Sequence, residues 1–168
     1  MLELISPTTQ LHRAWLDAHA EWGAGAHEDG FGLTPADDAD SPAGFAAWVG
    51  RLVDESAQTT YRWIVDDQRV LGGIALRHHL DEYAQWAGHI GFGIRPTARG
   101  RGLAGWALGR MLDRASQLGM DRVLLVCAVD NVASARTILS LGGVFEGVWD
   151  TDLGPAQRYW ITLTEPSN

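Results

Sequence analysis

Apolar and polar positions recur along this chain with two different periods, and the change of period divides it into elements. Leu2 to Ile5 is a short apolar run closed by Ser6-Pro7, the pattern of a first strand. Thr8 or Thr9 can cap a helix running to about Trp22, with Leu11, Trp15, Leu16 and His19 on one face. Gly23 to Pro42 has no period and is rich in Gly, Ala, Asp and Pro. It reads as a long loop, of the kind that is functional or mobile more often than idle. Ser41-Pro42 opens a second helix over about Ala43 to Ser56, which turns Phe45, Trp48, Val49 and Leu52 inward.

From Thr60 the strand period takes over. Tyr61 to Val65 and Val70 to His79 are strands around a turn at Asp66-Asp67-Gln68, and Leu80 to Ala87 is a connector. His89 to Ile94 is a third strand, bounded by Arg95-Pro96. Leu103 then starts a helix reaching about Leu118, with Ala104, Leu108, Met111 and Leu112 at helical spacing and Gly119 as its stop. Asp121 to Val126 is a continuous apolar run, as a strand buried on both faces requires. Asp130 or Asn131 caps a helix to Leu141, ended by Gly142-Gly143. Val144 to Trp149 and Arg158 to Leu163 close the chain as strands around a turn at Gly154-Pro155. The expected architecture is mixed α/β, a single layer of sheet with helices on both faces.

Composition narrows the classes. A chain of 168 residues suits one domain, 1–168, with enough length for a proper core. It contains nothing near a twenty-residue apolar span and no charged-then-apolar leader pattern, so no membrane partner is expected. Cys127 stands alone, which excludes an internal disulfide and fits a cytoplasmic location. The net charge of −8 argues against a nucleic-acid partner, whose footprint would be basic. The histidines and the lone cysteine have no metal-ligand spacing, so no metal is expected.

Against that acidic background one stretch stands out, Gly88 to Arg110. Between its strand and its helix lies Arg99-Gly100-Arg101-Gly102-Leu103-Ala104, two arginines among small residues at a helix mouth. A helix N-terminus offers unpaired N–H groups and the positive end of a dipole. Glycines let an anion reach the backbone, and arginines add charge-assisted hydrogen bonds. This turn is therefore expected to grip a phosphate-bearing cofactor.

These residues resemble the Gcn5-related N-acetyltransferases, the GNAT family, whose acetyl-CoA motif is Arg or Gln, two residues, Gly, one residue, then Gly or Ala. Arg99, Gly102 and Ala104 fill it, after a strand and before a helix. Asn131 to Arg136 with Gly142-Gly143 beyond resembles the family's following strand–helix unit, and GHIGFGIRP, CAVDNVASA and RYWI resemble a bacterial branch of predicted acetyltransferases. The resemblance implies a mainly antiparallel central sheet of about six to seven strands flanked by about four helices. It implies an acetyltransferase using acetyl-CoA as co-substrate, with a primary amine of a small molecule or peptide as acceptor, and it leaves room for a homodimer. Residue by residue, Arg99, Gly100, Arg101, Gly102, Leu103 and Ala104 would hold the pyrophosphate. Phe92, Gly93 and Ile94 would pair with the pantetheine arm like an added strand, splayed from the Leu124-to-Val126 strand. A backbone N–H near Ile94 would polarise the acetyl carbonyl. Asn131 and Ser134 would contact the cofactor arm, although Asn131 also suits a plain helix cap and one residue can do both.

Amine acetylation needs a deprotonated amine, a stabilised oxyanion and a proton for the departing thiolate. His89 lies on the cofactor strand near where several family members carry a catalytic glutamate, and its alternative role is a hydrogen bond at a strand start. Of His78 and His79 only one can face a cleft, because neighbours on a strand point to opposite faces. His79 with Glu82 could select and deprotonate an amine, the alternative for Asp81 and Glu82 being a solvated loop. Many relatives carry a tyrosine acid seven residues after the motif asparagine. Here that position is Ile138, leaving Tyr159, Tyr83 or water, with Tyr159 also fit for the core. Phe31, Trp22, Trp48 and Trp86 are candidates for a substrate pocket, while Trp15, Trp48 and Trp106 at helical spacing suit the core. Cys127 reads as an inert buried thiol. Two alternatives to the enzyme reading remain: a degenerate acyl-CoA-binding regulatory module, and a transferase using another acyl-CoA.

Overall fold

The computed structural model describes residues 1–23 and 29–163, which fall into two compact units. The first comprises Met1–Ala75 with Phe92–Leu103, and the second Leu76–Gly91 with Ala104–Asn168. Among the described residues, seven strands and five α-helices give the expected mixed α/β class. The expected single layer is instead two sheets, one of four strands in the order β1-β2-β3-β4 and one of three in the order β5-β7-β6.

In the first unit β1 (Leu2–Ile5) pairs antiparallel with β2 (Thr59–Asp66), which turns into β3 (Arg69–Arg77). The turn puts Asp67 and Gln68 at φ 46° and 69°. Two successive left-handed residues are what a tight hairpin needs to match strand twist. Thr8 accepts a hydrogen bond from the Gln10 N–H at the start of a short 3₁₀ turn, which leads into α1 (His12–Trp22). Ser41 accepts from the Gly44 N–H at 3.0 Å and starts α2 (Pro42–Asp54), as its Ser-Pro signature requires.

The inward faces of α1 and α2 pack with β2 into an aromatic core of Trp15, Phe31, Phe45, Trp48 and Trp63. The tilted and edge-on rings lie 4.9–6.1 Å apart, typical of aromatic pairs. Phe31 and Trp48 are each 1% exposed, so these two pocket candidates are core instead. Part of the expected loop, residues 24–28, lies outside the described residues. Its remainder carries no helix or strand and is pinned to α2 by Arg51, which donates to the Gly32 carbonyl and to Asp37, both at 2.7 Å.

β4 (Ile90–Ile94) runs antiparallel to β3, with the Arg95 N–H bonded to the Leu71 carbonyl at 2.8 Å. Its last turn is fixed from α1. The Arg95 guanidinium, 3% exposed, donates to Glu21, to Asp17 at 2.9 Å and to the Val70 carbonyl at 3.2 Å. Glu21 also accepts from the Thr97 N–H and hydroxyl. Arg95 therefore ends the strand with its charge satisfied on three sides.

In the second unit β7 (Gly154–Thr162) is central between β5 (Arg122–Ala128) and β6 (Val144–Thr151), antiparallel to both. The β6–β7 turn is at Asp152-Leu153 rather than at Gly154-Pro155, both of which belong to β7. Glu146 is bulged out of register between Phe145 and Gly147. Leu80 to Ala87, read from the sequence as connector alone, contains a six-residue helix, α3 (Glu82–Ala87), capped by Asp81 at the Ala84 N–H. Asp81 is thus a cap and not merely a solvated charge. α4 (Leu103–Gln117) buries Leu103, Ala107, Leu108, Met111 and Ala115, while Trp106 is half-buried with Arg110 over its ring and leaves the core expected for it. α5 (Val132–Ser140) begins at Asn131, which accepts from the Ser134 N–H at 3.1 Å.

Hydrogen bonding from Arg95 holds the Glu21 carboxyl down at about 2. A depressed carboxyl stabilises the fold above its ordinary value near 4.5, and that stability is lost as pH falls toward 2. Glu21→Gln should cost about 2 kcal/mol near pH 7, less than breaking an isolated buried pair because Asp17 remains. Urea titrations should show the two proteins converging as the pH approaches 2.

Candidate active site

The turn expected to bind an anion is built from the end of β4 and the mouth of α4. Arg99 donates from Nε to the Ile94 carbonyl at 2.9 Å, so its side chain ties the turn back to the strand it follows. Gly100 and Gly102 both have φ +76°, and a Cβ at either would meet nothing within 4 Å. Glycine is needed here for backbone conformation and not for space. Arg101 between them has no positive φ, so the dihedrals alternate in sign over three residues. Such alternation turns successive N–H groups toward one side, an anion-binding concavity. The first turn of α4 adds N–H groups that no helical carbonyl can reach. Residues Arg99 to Gly102 are exposed, Leu103 is buried and Ala104 half-buried.

β4 is an edge strand of its sheet. Because the Arg95 N–H turns toward β3, the alternation of an antiparallel ladder turns Phe92 and Ile94 toward the open edge. The Ile94 carbonyl, taken by Arg99, agrees with that direction. Gly93 has a different constraint: a Cβ there would lie 2.7 Å from the Asp29 carbonyl.

In the second unit His89 is buried and tied to β5 twice. Its own N–H donates to the Leu124 carbonyl at 2.7 Å, and its Nδ1 accepts from the Leu124 N–H at 2.8 Å. Accepting at Nδ1 fixes the neutral ring with its proton on Nε2. No ring lone pair is then free for an amine proton, so the geometry is that of the structural alternative for this residue. Burial lowers its pKa below the ordinary 6.5, helped by Arg77 and Arg122.

The remaining candidates separate by position. His79 and Glu82 are exposed, His79 just before α3 and Glu82 in its first turn. Tyr159 is buried, donates to Gln157 Oε1 at 2.9 Å and has its pKa raised by burial, with Cys127 adding to the shift. It shares a sheet face with neither Arg158 nor Trp160, its neighbours on β7, whereas Trp160 lies against the His89 ring. His89 and Tyr159 are therefore not brought together. Ile138 is buried at 1% exposure, and the Cys127 thiol is buried with its pKa raised by that burial. Asn131 and Ser134 sit at the start of α5, where Asn131 is the helix cap. Arg158, singled out by no signal in the sequence beyond a charge beside the apolar run Tyr159–Ile161, proves to be buried. Among the described residues no group of three or more His, Cys, Asp or Glu side chains could hold a metal, and no helix is long and apolar enough to cross a membrane.

The model of the acetyltransferase (GNAT) domain matches residues 5–144, and the chain belongs to that family of acyl-transferring enzymes. Among solved structures it is similar to RimL, a ribosomal L7/L12 alpha-N-protein acetyltransferase in complex with coenzyme A. That match has a TM-score of 0.76 at 15% identity and covers 96% of this chain and 94% of the other. The microcin C7 self-immunity acetyltransferase MccE, in complex with acetyl-CoA and AMP, matches with a TM-score of 0.71 at 13% identity, over 96% and 92%. The spermidine/spermine N-acetyltransferase SpeG from Vibrio cholerae, in mutant forms, matches at 0.68 and 17%, over 96% and 95%. No curated protein matches the sequence.

Replacing His89 by Leu leaves the buried Leu124 N–H without its acceptor. The cost should be about 1–3 kcal/mol by denaturant unfolding. Because the folded pKa is lowered, the unfolded chain binds more protons below about 6.5. Wild-type stability should therefore fall as pH drops below about 6.5, and His89→Leu should lack that component.

Proposed function

We propose that the chain is one N-acetyltransferase domain that transfers the acetyl group of acetyl-CoA to a primary amine of a small molecule or peptide, directly and in a ternary complex. The observation that carries this reading is the pair of left-handed glycines, Gly100 and Gly102, at the mouth of α4 in the turn that follows an edge strand. Acetyl-CoA supplies the activated acyl group as a thioester. The backbone N–H groups of Gly100 to Ala104 hold its pyrophosphate, and Arg101, exposed beside them, adds charge. The open edge at Phe92 and Ile94 pairs with the pantetheine arm, and an N–H near Ile94 polarises the acetyl carbonyl. Asn131 keeps its side-chain NH₂ for the arm while its oxygen caps α5.

Base duty falls to the exposed pair His79 and Glu82, acting directly or through a water, with His89 anchoring the start of β4 to β5. Ile138 cannot donate a proton and the buried Tyr159 hydroxyl is engaged, so the proton for the departing thiolate comes from the exposed Tyr83 or from water. The reading places the enzyme in the cytoplasm, where acetyl-CoA is available and a lone thiol stays reduced.

Acetyl-CoA should raise the Tm, and an amine panel should speed release of free CoA. No thermal shift removes the cofactor assignment, and a shift without amine-dependent release leaves only an acyl-CoA-binding module. A left-handed residue other than glycine costs about 1–2 kcal/mol. Gly102→Ala should therefore weaken acetyl-CoA binding by about tenfold by calorimetry. Little change in folding stability is expected, because the turn can relax into open space.

A further inference from the structure

The second unit buries one arginine that the catalytic scheme does not use. Arg158 on β7 is 3% exposed at its side chain and makes three different contacts. Its Nε donates to Glu146 Oε2 at 2.5 Å, its guanidinium lies 3.5 Å from the centre of the Trp149 ring, and one terminal nitrogen donates to the Gln85 carbonyl. Gln85 belongs to α3, the helix whose first turn carries Glu82.

A six-residue helix with only Ala84 buried cannot hold itself together. Asp81 caps its first turn and the Gly88 N–H closes on the Ala84 carbonyl. Carbonyls of the last turn have no helical donor and carry the negative end of the dipole. Arg158 supplies both a donor and a positive charge at that end. A buried ion pair is a poor way to gain stability, since a well-packed apolar residue often does as well. What an apolar residue cannot do is fix the direction of one carbonyl. The bulge in β6 fits the same purpose, because it turns Glu146 toward both Arg158 and the Trp160 Nε1–H.

We propose that Arg158 is a positioning residue for the acceptor amine: through Gln85 it sets α3 so that Glu82 meets the amine. The proposal rests on the reading that His79 and Glu82 handle the acceptor. Arg158 itself touches no reacting atom. The orienting chain runs from the Glu146 carboxylate through the guanidinium to the α3 backbone.

The test compares wild type with R158M and R158K, using the best amine of the panel as the probe. R158M should raise KM for the amine about tenfold, the scale of one lost charge-assisted hydrogen bond. Acetyl-CoA affinity should stay within about twofold even though Tm falls, because removing the cation leaves Glu146 and the Gln85 carbonyl without their donor. R158K, which keeps a donor for the Gln85 carbonyl, should recover part of the amine KM. An unchanged amine KM in folded R158M, or equal loss of both substrates' binding, overturns the proposal. Should R158M not fold, hydrogen exchange in E146Q decides: faster exchange confined to the α3 amides supports the proposal, and unchanged exchange overturns it. Wild type that releases no CoA with any amine removes the acetyltransferase reading itself, an outcome separate from a null result at Arg158.

Discussion

The clamp of Glu21 on Arg95 is the constraint on which the glycine turn between β4 and α4 depends. A strand that stays unpaired on its outer edge must still end at a defined residue, or the helix after it begins in the wrong place. Arg95 ends β4 by burying a guanidinium against α1 and the Val70 carbonyl, and Thr97 is drawn to the same carboxylate. Arg99 then ties back to Ile94, so two arginines set the entry to the turn before the first glycine is reached. The left-handed dihedrals of Gly100 and Gly102 follow from that entry. They cost glycine little and leave the N–H groups without a steric screen.

At its other end β4 is fixed differently. His89 binds Leu124 through both backbone and ring, and the Arg77 N–H takes the His89 carbonyl at 2.6 Å. One residue thus bonds a neighbour on each side of the strand entrance. A neutral imidazole suits this place because it offers an acceptor without a charge to desolvate. The same property unfits it as a base, since burial and two nearby arginines hold its pKa down. His79 and Glu82, by contrast, are exposed on the short segment around α3.

Much of this was legible in the sequence because its signals are local. The cap at Ser41, the caps open between Thr8 and Thr9 and between Asp130 and Asn131, the turn at Asp66-Asp67-Gln68 (of which Asp66 proves to belong to β2) and the glycines of the turn each act within four residues. The inward face of α2 could be read from spacing because all four expected residues are buried together. What escaped was non-local or too short to have a period. α3 buries a single residue, so no pattern marks it. Leu124 lies 35 positions from the histidine it engages, and Arg158 lies 73 positions from the Gln85 carbonyl. The division into two sheets could not be read from the strand pattern, and only the resemblance implied it, through the splay of β4 from β5. Strand order is set by pairing across the chain, whereas alternation reports only which face of a strand is buried.

Arg95 and Arg158 apply one device at two places. Each is a nearly fully buried guanidinium that bonds at least one backbone carbonyl and at least one carboxylate. Neither is an economical source of stability, because desolvation offsets much of the Coulomb attraction. Both join a strand end or strand to a helix. For Arg95 the joined helix is α1 and for Arg158 it is α3, the short helix that carries Glu82. An arginine suits the task because its planar fork can bond two directions at once, where a lysine offers only a point charge.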